Sequence, residues 1–372
     1  MSGFVAALAG FDKMTVVRLR ALLDRFDPET AYAVAAGHQL ADGPVGDLLA
    51  RHADVAAAWR SSAAARDPQR CAEQCRRLGV EVVTATDEAY PVVLRSDPWH
   101  PAALFVRGDL NGLQRRRVAI VGTRNASQRG REHAARFAVE LTEEAVTIVS
   151  GLAKGIDAAA HRGALTVTGA QPVAIVGNGL DRPYPRANSA LWAEVAQRGA
   201  VVSEWPPGTR PDAFRFPLRN RIIAALAEVV IVVESRDRGG SLITAREAAQ
   251  RDVAVFAVPG GIDHPASVGT NALLRDGAAP ATETLDILLA LGLDGRRAAN
   301  RRYDPRPQPR GRAQRIADRC AQGPCTLEML ANDIDRPLGE TALLVARLER
   351  DGWVRETAGW FETLVGWDPT PT

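Results

Sequence analysis

The segment FRFPLRNRII combines aromatic, cationic and amide side chains at the start of a stretch with helical character. Its arginines suit phosphate, because a guanidinium donates hydrogen bonds in a planar fork, and the ring of Phe216 offers a face on which a nucleobase can stack. The structural alternative buries Phe216 in the core and pairs Arg219 or Arg221 with Glu204 or Glu234. We expect at least one of these arginines to be structural, and for the segment as a whole we favour binding of a polyanion.

Three other segments place small residues, hydroxyls and cations where a predicted strand gives way to a helix. They read GTRNAS, SGLAKGIDAAAHRG and DRGGSLITAREAA. Glycine allows a phosphate to approach the backbone closely, and the free N–H groups at a helix N-terminus attract an anion. Arg124 can hold a phosphate, whereas the structural alternative makes Ser127 a helix cap and leaves Arg124 solvated. Together the segments favour a phosphate-binding surface.

Asp157 and His161 stand one helical turn apart, a spacing that suits a catalytic or metal-binding pair. Neither a third ligand nor an activated nucleophile accompanies them in the sequence, so we interpret Asp157 as a helix cap and partner of the helix dipole, and we expect His161 to be hydrogen-bonded near the site without a catalytic role. The loop PGGIDHP also lacks the carboxylate with which nucleotide-cleaving Rossmann-like hydrolases act on the sugar. A non-enzymatic binding protein is therefore favoured, and a nucleotide or nucleoside-phosphate hydrolase stays the alternative.

The sequence predicts no cofactor and no metal. The loop after the first parallel strand reads GTRNAS rather than GxGxxG, and the second strand ends at Ser150 and Gly151 without an acid to hold a ribose, which argues against NAD. The four cysteines form two pairs in different predicted domains, so we expect reduced structural thiols rather than a zinc site at Cys71 with Cys75 and Cys320 with Cys325.

The elements that position these groups are six short apolar runs, VAIVG, TIVSG, PVAIVG, AVVSE, VVIVVE and AVFAVPG, with helix-like stretches between them. Runs of Val, Ile and Ala without alternation are typical of strands buried on both faces, and the intervening stretches supply crossover helices. The pattern predicts an α/β fold with a Rossmann-like parallel sheet, whose ligands lie outside the carboxyl ends of the strands. VEVVT and AALFVRG predict two more strands that extend this sheet.

We predict four parts along the chain. Residues 1–68 form a small helical domain, because apolar residues recur at helical spacing without a convincing strand, and residues 76–293 form the extended Rossmann-like domain. Residues 294–311 are an Arg- and Pro-rich linker with almost no apolar side chains. Residues 312–372 contain three predicted helices and the strands WVRE and WFET, which indicate a winged helix-turn-helix. Its third helix offers few donors for groove reading, so docking or a structural role is favoured over DNA reading.

Length and charge limit the classes of function. The 372 residues carry 46 Lys and Arg against 44 Asp and Glu, a formal net charge of +2, so polyanion binding must rely on local patches rather than on a uniformly basic surface. No apolar run reaches membrane-spanning length, and the N-terminus lacks the pattern of a secretory signal. A cytoplasmic protein without membrane contact is therefore expected.

Six motifs in the same order, from VGTRNAS through SEWPPGTRPDAFRFPLRNRIIAAL to GTNALLRDGA, resemble the DNA-processing protein A (DprA, or Smf) family across roughly residues 80 to 292. The resemblance implies an extended Rossmann fold that binds single-stranded DNA, loads the recombinase RecA during natural transformation and self-associates. It also implies DNA contacts from Gly122, Arg124, Ser127, Ser150, Gly151, Lys154, Phe216, Arg219, Asn220, Arg221, Gly240, Ser241 and Thr244.

The helix TLDILLALGL at the end of this domain is apolar on more than one face. A helix that covers a sheet needs only one apolar stripe, so the surplus face should be covered by the flanking domains or by a second subunit. Because the family resemblance implies self-association, we expect a two-fold symmetric homodimer in which this helix or GTNALLRDGA meets its own copy. The interface residues expected are Leu285, Leu288 and Leu289.

Overall fold

A nine-stranded sheet organises residues 1–293. The computed structural model describes residues 1–293, 309–357 and 359–363, and the chain divides into two compact units after Leu293. The six predicted parallel runs are strands β3 to β8 and the two additional runs are β1 and β2, so the α/β fold is confirmed. The strands are β1 (Glu81–Thr84), β2 (Ala103–Gly108), β3 (Arg117–Val121), β4 (Thr147–Ser150), β5 (Val173–Val176), β6 (Ala200–Ser203), β7 (Val229–Val232), β8 (Ala254–Ala257) and β9 (Ala279–Pro280).

The strand order, β1-β2-β6-β5-β4-β3-β7-β8-β9, places β3 between β4 and β7. Strands from β6 to β9 in this order are parallel, while β2 is antiparallel to β1 and to β6. From β3 the chain builds β4, β5 and β6 on one side and then returns to build β7, β8 and β9 on the other. The sheet therefore has a topological switch point between β3 and β7, the place where open α/β sheets bind their ligands.

Helices cover both faces of this sheet. On one face Ile222 and Ala245 pack on Val230, and on the other Trp192 packs with Val201. The first two residues belong to helices α11 and α12 and Trp192 belongs to α10, so these helices are fixed by apolar burial against buried strands. The helices are α7 (Val92–Arg95), α8 (Gln128–Glu143), α9 (Ile156–Thr166), α10 (Ser189–Arg198), α11 (Arg215–Leu226), α12 (Gly240–Ala249), α13 (Val268–Arg275) and α14 (Thr284–Ala290), with short 3-10 helices at Leu110–Gln114 and Arg186–Asn188.

Six helices precede the sheet, as the helical spacing near the N-terminus predicts. Helix α3 shows the local signals: Asp27 caps its N-terminus, Pro28 occupies its first turn, and Gly37 ends it with a φ of 78°. Most apolar side chains of these helices form a core of their own around Trp59, but Ala6 of α1 packs in the core of the sheet. The helices are α1 (Ser2–Ala9), α2 (Val16–Leu23), α3 (Pro28–Ala36), α4 (Gly43–Arg51), α5 (Ala53–Ala65) and α6 (Pro68–Leu78).

The second unit contains three helices and a small antiparallel sheet of order β10-β12-β11. Its apolar core includes Ile316, Leu330, Val345 and Trp353. Three helices followed by the β11–β12 hairpin are the winged-helix arrangement that the sequence predicts, whereas β10 is too short to leave a pattern. Most of the predicted linker lies outside the described residues. The elements are α15 (Arg312–Gln322), β10 (Cys325–Thr326), α16 (Leu327–Ile334), α17 (Leu338–Arg350), β11 (Val354–Thr357) and β12 (Trp360–Thr363).

The described residues contain neither a candidate membrane span nor a candidate metal cluster. No helix within 1–293, 309–357 and 359–363 is both long and apolar enough to cross a bilayer. Within the same ranges no three His, Cys, Asp or Glu side chains are grouped to hold a metal ion. All four cysteines are free thiols, and burial raises the pKa of Cys75 to about 11 and that of Cys320 to about 12.

Candidate nucleic-acid interface

A cleft of about 540 Å³ opens at the switch point, beyond the carboxyl ends of β3 and β7. Its walls are the loops that follow these two strands and the first turns of α11 and α12. Two arginines of the loop after β7, Arg236 and Arg238, lie in this wall and are exposed. The cleft is also lined by eight residues for which DNA contacts are predicted: Gly122, Arg124, Phe216, Arg219, Asn220, Gly240, Ser241 and Thr244.

A smaller pocket of about 230 Å³ shares Arg124, Phe216 and Arg219 with the cleft. It adds two further predicted residues, Gly151 and Lys154, from the loop after β4. Lys154 is exposed, so its ammonium group and the guanidinium of Arg124 present positive charge at the same opening. The three predicted residues that line neither cavity are Ser127, Ser150 and Arg221.

Phe216 lies in the wall of the cleft rather than in the core. Its ring is half-buried, and the guanidinium carbon of Arg124 lies 4.9 Å from the ring centroid. The ring of Tyr184 stacks on Phe216 with a centroid distance of 5.5 Å and an interplanar angle of 30°. A cation and two aromatic rings in contact form a surface on which a planar base can stack beside a phosphate. The alternative in which Phe216 is a core residue does not hold.

Tyr184 is a residue of this cluster that sequence reasoning did not predict. It lies in the loop GNGLDRPYP after β5, lines both cavities, and is 41% exposed. The one signal in the sequence is an aromatic residue in a loop at the carboxyl end of a parallel strand. Arg182 and Arg186 stand two residues away on either side, but the sequence does not show which of these side chains faces the cleft.

Arg221 forms the ion pair that the structural alternative describes. Its Nη2 donates to both carboxylate oxygens of Glu204, at 2.5 and 2.6 Å, and its Nη1 donates to the carbonyl of Trp99 at 2.8 Å. The Glu204 carboxyl is fully buried, and burial raises its pKa against the opposing effect of Arg221. The expectation that at least one arginine of the segment is structural is therefore confirmed by Arg221.

Arg219 lies beneath the cleft, with 4% of its surface exposed. It donates to the carbonyl of Ile175, and its Nη2 lies 3.9 Å from Asp157. Burial lowers the pKa of Arg219 to about 10, so the side chain is still charged at neutral pH. Its Nε has no hydrogen-bond partner among the described residues. Arg219 is thus a buried cation with unused donor capacity in the floor of both cavities.

Asp157 and His161 are buried behind this floor. Asp157 accepts the backbone N–H of Gly151 at 3.2 Å in addition to its contact with Arg219. Burial raises the pKa of Asp157, whereas burial and the neighbouring charge of Arg219 lower the pKa of His161 to about 3. The imidazole is therefore neutral at physiological pH. Helix α9 has no side-chain cap, so the cap interpretation of Asp157 is wrong; the carboxylate instead bonds Gly151 and pairs with Arg219 in the floor of the pocket.

The hydroxyls of two predicted serines, Ser127 and Ser150, form hydrogen bonds to backbone groups of the protein. Ser127 accepts the N–H of Gly130 at 2.9 Å as the N-cap of α8, and its own N–H donates to Glu234 at 2.8 Å. Ser150 is fully buried and donates to the carbonyl of Ile120 at 2.6 Å. The cap alternative for Ser127 therefore describes its observed bonds.

Two predicted glycines are required by packing. A Cβ on Gly122 would collide with Ile156, and one on Gly151 would collide with the guanidinium of Arg219. The loops after β3 and β4 therefore bring their backbones close to the helix and the arginine behind them.

The N-terminus of α12 faces the cleft without a side-chain cap. Gly239 occupies the N-cap position with no capping bond, and a Cβ on the exposed Gly240 would meet nothing within 4 Å. Behind this turn, Asn220 donates to the carbonyl of Gly240 at 3.1 Å and the hydroxyl of Ser241 donates to that of Ser235 at 2.9 Å. Exposed N–H groups at the start of a ten-residue helix favour an anion.

The chain matches the family model described as DNA recombination-mediator protein A over residues 81–292. Protein Smf of Escherichia coli is 37% identical over 289 residues, which are 76% of this chain and 77% of that protein. The chain belongs to this family. Among solved structures, DNA processing protein A (DprA) from Streptococcus pneumoniae aligns with a TM-score of 0.63 and 32% identity, covering 78% of this chain and 98% of that one.

A second solved member of the DprA family comes from Helicobacter pylori, and its structure is described in terms of a unique single-stranded DNA binding mode. It aligns with a TM-score of 0.51 and 30% identity over 57% of this chain and 97% of that one. The family match extends from β1 to the end of α14, so it contains the whole sheet and every lining residue of the cleft.

Helix α14 closes the part of the chain that matches the DprA family. Leu288 is fully buried and Leu285 partly buried, whereas Leu289 is 63% exposed. A capping box between Glu283 and Asp286 starts the helix. Of the three leucines expected in a dimer interface, Leu289 presents the most surface, and Leu288 already packs within its own chain.

Proposed function

We propose that this protein binds single-stranded DNA in the switch-point cleft, acts in the cytoplasm, and delivers the strand to the RecA recombinase during natural transformation. The observation that carries the proposal is the stack of Arg124 on Phe216, 4.9 Å apart, inside a cleft that has the position of a nucleotide site in an α/β sheet. Family membership and the binding mode described for the Helicobacter pylori protein support single-stranded DNA as the ligand.

Phosphates bind to three features in this proposal. Arg124 and Lys154 supply charge at the opening, and the first turn of α12 at Gly240 supplies backbone N–H groups. Arg219 adds the field of a buried cation from below. Affinity should therefore depend on salt, with a slope of about −0.7 in log K against log salt for each phosphate on a single strand.

Bases bind to the aromatic wall. Phe216 and Tyr184 offer ring faces that tolerate any base, so the proposal is of binding without strong sequence preference. In a duplex the bases are already stacked and paired, and reaching Phe216 would require them to leave the helix. The cleft therefore selects single strands.

The other predicted contact residues are proposed to shape the cleft rather than to carry its main contacts. Gly122 and Gly151 leave room for Ile156 and for the guanidinium of Arg219 behind their loops, and six of the remaining members fix the loops and helix starts through the bonds described above. These six are Ser127, Ser150, Arg219, Asn220, Arg221 and Ser241, and the seventh, Thr244, is buried in α12 where it lines the cleft.

A binding role is favoured over hydrolysis because the carboxylate that lines the cleft is already engaged. Asp157 is buried and holds both Arg219 and the backbone of Gly151. A carboxylate that attacks or stabilises a sugar must face the ligand with free oxygens.

We further propose that the protein is a two-fold homodimer through α14, and that residues 1–68, 76–293 and 312–372 are domains, the last two joined by the linker 294–311. The exposed Leu289 supports the dimer, because an exposed leucine beside a partly buried one gives a self-complementary apolar contact. A dimer would place two clefts on one strand and present it at two points to RecA.

The experiment that tests the function uses the full chain with two ligands, a fluorescent oligothymidylate and a nucleoside monophosphate. We expect retention of the oligonucleotide, faster growth of RecA filaments on strands that carry the protein, and no release of base from the monophosphate. Base release without retention would identify a hydrolase. Retention without any effect on RecA filaments would limit the function to DNA binding.

A further inference from the structure

Three large apolar side chains are exposed along the outer side of α11, next to the cleft. Phe214 is 55% exposed, Leu218 is 44% exposed, and Trp99 in the loop before β2 is 58% exposed. Phe214 is two residues from Phe216 in the cleft wall. Ala213 and Pro217, the chain neighbours of Phe214 and Leu218, line the cleft, so these three side chains, which we call the α11 track, begin beside its edge.

The track follows one face of the helix. Phe214, Leu218 and Arg221 are spaced at i, i+4 and i+7, which places them on the same side of α11. Arg221 donates to the carbonyl of Trp99, so the loop that carries the tryptophan lies against the next turn of this face. Seven residues of helix span about 10 Å, which is the length of two or three stacked nucleotides at roughly 3.4 Å each.

The loop that carries Trp99 is anchored at its backbone although its indole is exposed. Asp97 accepts the N–H of Trp99 at 2.6 Å and a second hydrogen bond at 2.5 Å from Nε of Arg251, which lies in the turn after α12. Arg20 donates to the carbonyl of Pro98 at 2.5 Å. Four such bonds, including that from Arg221, hold the backbone of this loop, and an anchored loop loses less conformational freedom when a base stacks on its ring.

Arginines accompany the exposed rings of the track. The guanidinium carbon of Arg215 lies 4.6 Å from the ring centroid of Phe214, and Arg20 lies beside the Trp99 loop at the other end. Three acids face these arginines: Glu204 is paired with Arg221, whereas Asp212 lies 3.7 Å from Arg215 and Asp24 lies 3.9 Å from Arg20, both longer than a hydrogen bond. Exposed aromatic faces interleaved with arginines are the pattern of a surface that follows a single strand.

We infer that the DNA strand continues from the cleft along the α11 track, and that Trp99 is a second stacking platform for its bases. The inference rests on the proposed function, because the strand must enter the cleft for its continuation to reach the track. The occupant is the same single strand, whose charge and bases complement the arginines and rings of the track and whose path is continuous with Phe216.

The test compares two oligothymidylates with the full chain, one of about six nucleotides that fills the cleft and one of about twelve that extends past it. We expect Trp99→Ala to weaken binding of the long strand by at least about 5-fold, the loss of one stacked base, and to leave the short strand unaffected. Trp99→Phe keeps an aromatic face and should restore the long-strand affinity. Val92→Ala is the matched control, because Val92 is 74% exposed on the same segment but lines a separate cavity.

A long strand with abasic sites at either end locates the contact. A long strand that carries abasic sites at the end on the track should bind the wild type no more tightly than the short strand does. The affinity of Trp99→Ala for this abasic strand should then equal that of the wild type. Equal affinity of Trp99→Ala and wild type for the long strand would overturn the inference. The inference would also be overturned if Trp99→Ala changed the mass of the protein in light scattering while its effect on DNA affinity did not depend on strand length. That result would assign the track to a protein contact.

Failure of the cleft is distinguishable from failure of the track. If Phe216→Ala leaves the short strand bound as in the wild type, the cleft itself is not the DNA site. If Phe216→Ala weakens both strands while Trp99→Ala weakens neither, the cleft binds DNA and the strand leaves it by another path.

Discussion

The guanidinium of Arg221 lies 2.5 and 2.6 Å from the two carboxylate oxygens of Glu204, in a pair whose side chains are 13% and 5% exposed. This pair joins the middle of α11 to the residue after β6 and, through Trp99, to the loop before β2. One arginine of the segment FRFPLRNRII is therefore part of the scaffold on which the others are held. Removing it should affect folding before it affects binding.

Replacement of Arg221 by alanine should lower the free energy of unfolding by about 3 kcal/mol, because it leaves the buried carboxylate of Glu204 without a partner. Urea unfolding at pH 7 measures this loss. The double substitution Arg221→Met with Glu204→Leu removes both charges and should recover most of the stability. A single variant as stable as the wild type, or a double variant no better than the single one, would contradict this role.

Arg124→Ala should weaken binding of oligothymidylate and reduce the salt slope by about 0.7, the value for one phosphate on a single strand. Its guanidinium is exposed at the cleft, so thermal stability should stay within about 0.5 kcal/mol of the wild type. Arg129→Ala is the matched control, since Arg129 is exposed in the first turn of α8 and lines neither cavity. Equal salt slopes for the two variants would show that Arg124 does not touch a phosphate.

The sheet was predictable because its strands are buried on both faces and therefore read as unbroken apolar runs. The order of the strands was not, since β3 and β7 are about a hundred residues apart and no local pattern records their pairing. The position of the ligand edge was predictable from the loops, because parallel strands all end on the same side of a sheet.

The roles of individual site residues were harder to predict, because one residue type serves both binding and structure. Arg219 and Arg221 stand two positions apart, yet one lies under the cleft floor and the other pairs with Glu204. Which way an arginine turns depends on where an acid lies in space, and the sequence does not contain that distance. Tyr184 shows a related case: Arg182 and Arg186 stand two positions away on either side, but the sequence does not show that the tyrosine faces Phe216.

His161 should make stability depend on pH in mildly acidic solution. Its folded pKa of about 3 lies below the value near 6.5 in an unfolded chain, so its contribution is complete above about pH 6.5 and is lost as the pH falls toward 3. In that pH window the unfolded chain binds one more proton than the folded chain, so the free energy of unfolding changes with pH by about 1.4 kcal/mol per pH unit. His161→Phe should remove this part of the slope in urea unfolding between pH 6.5 and 4.5. Parallel pH curves for variant and wild type would refute it.

Leu289→Glu should convert the proposed dimer to monomers, because Leu289 is 63% exposed on α14 and a carboxylate would be buried against its own copy. Light scattering at micromolar concentration measures the mass. Leu40→Glu is the control, since Leu40 is 96% exposed and lies in the N-terminal helical region. A monomeric wild type, or a dimeric Leu289→Glu variant, would show that α14 is not the interface.

The affinity of Phe216→Ala for a single-stranded oligothymidylate, with the midpoint of thermal unfolding measured on the same sample, decides whether the cleft binds DNA. We predict a loss of about 1 to 3 kcal/mol in binding, the value of one stacked base, and a nearly unchanged midpoint, since the ring lies in the wall of the cleft. Phe216→Tyr should bind as the wild type does. Unchanged affinity of Phe216→Ala, or a large fall in its unfolding midpoint with normal binding by the folded protein, would contradict the claim that this cleft holds the DNA strand.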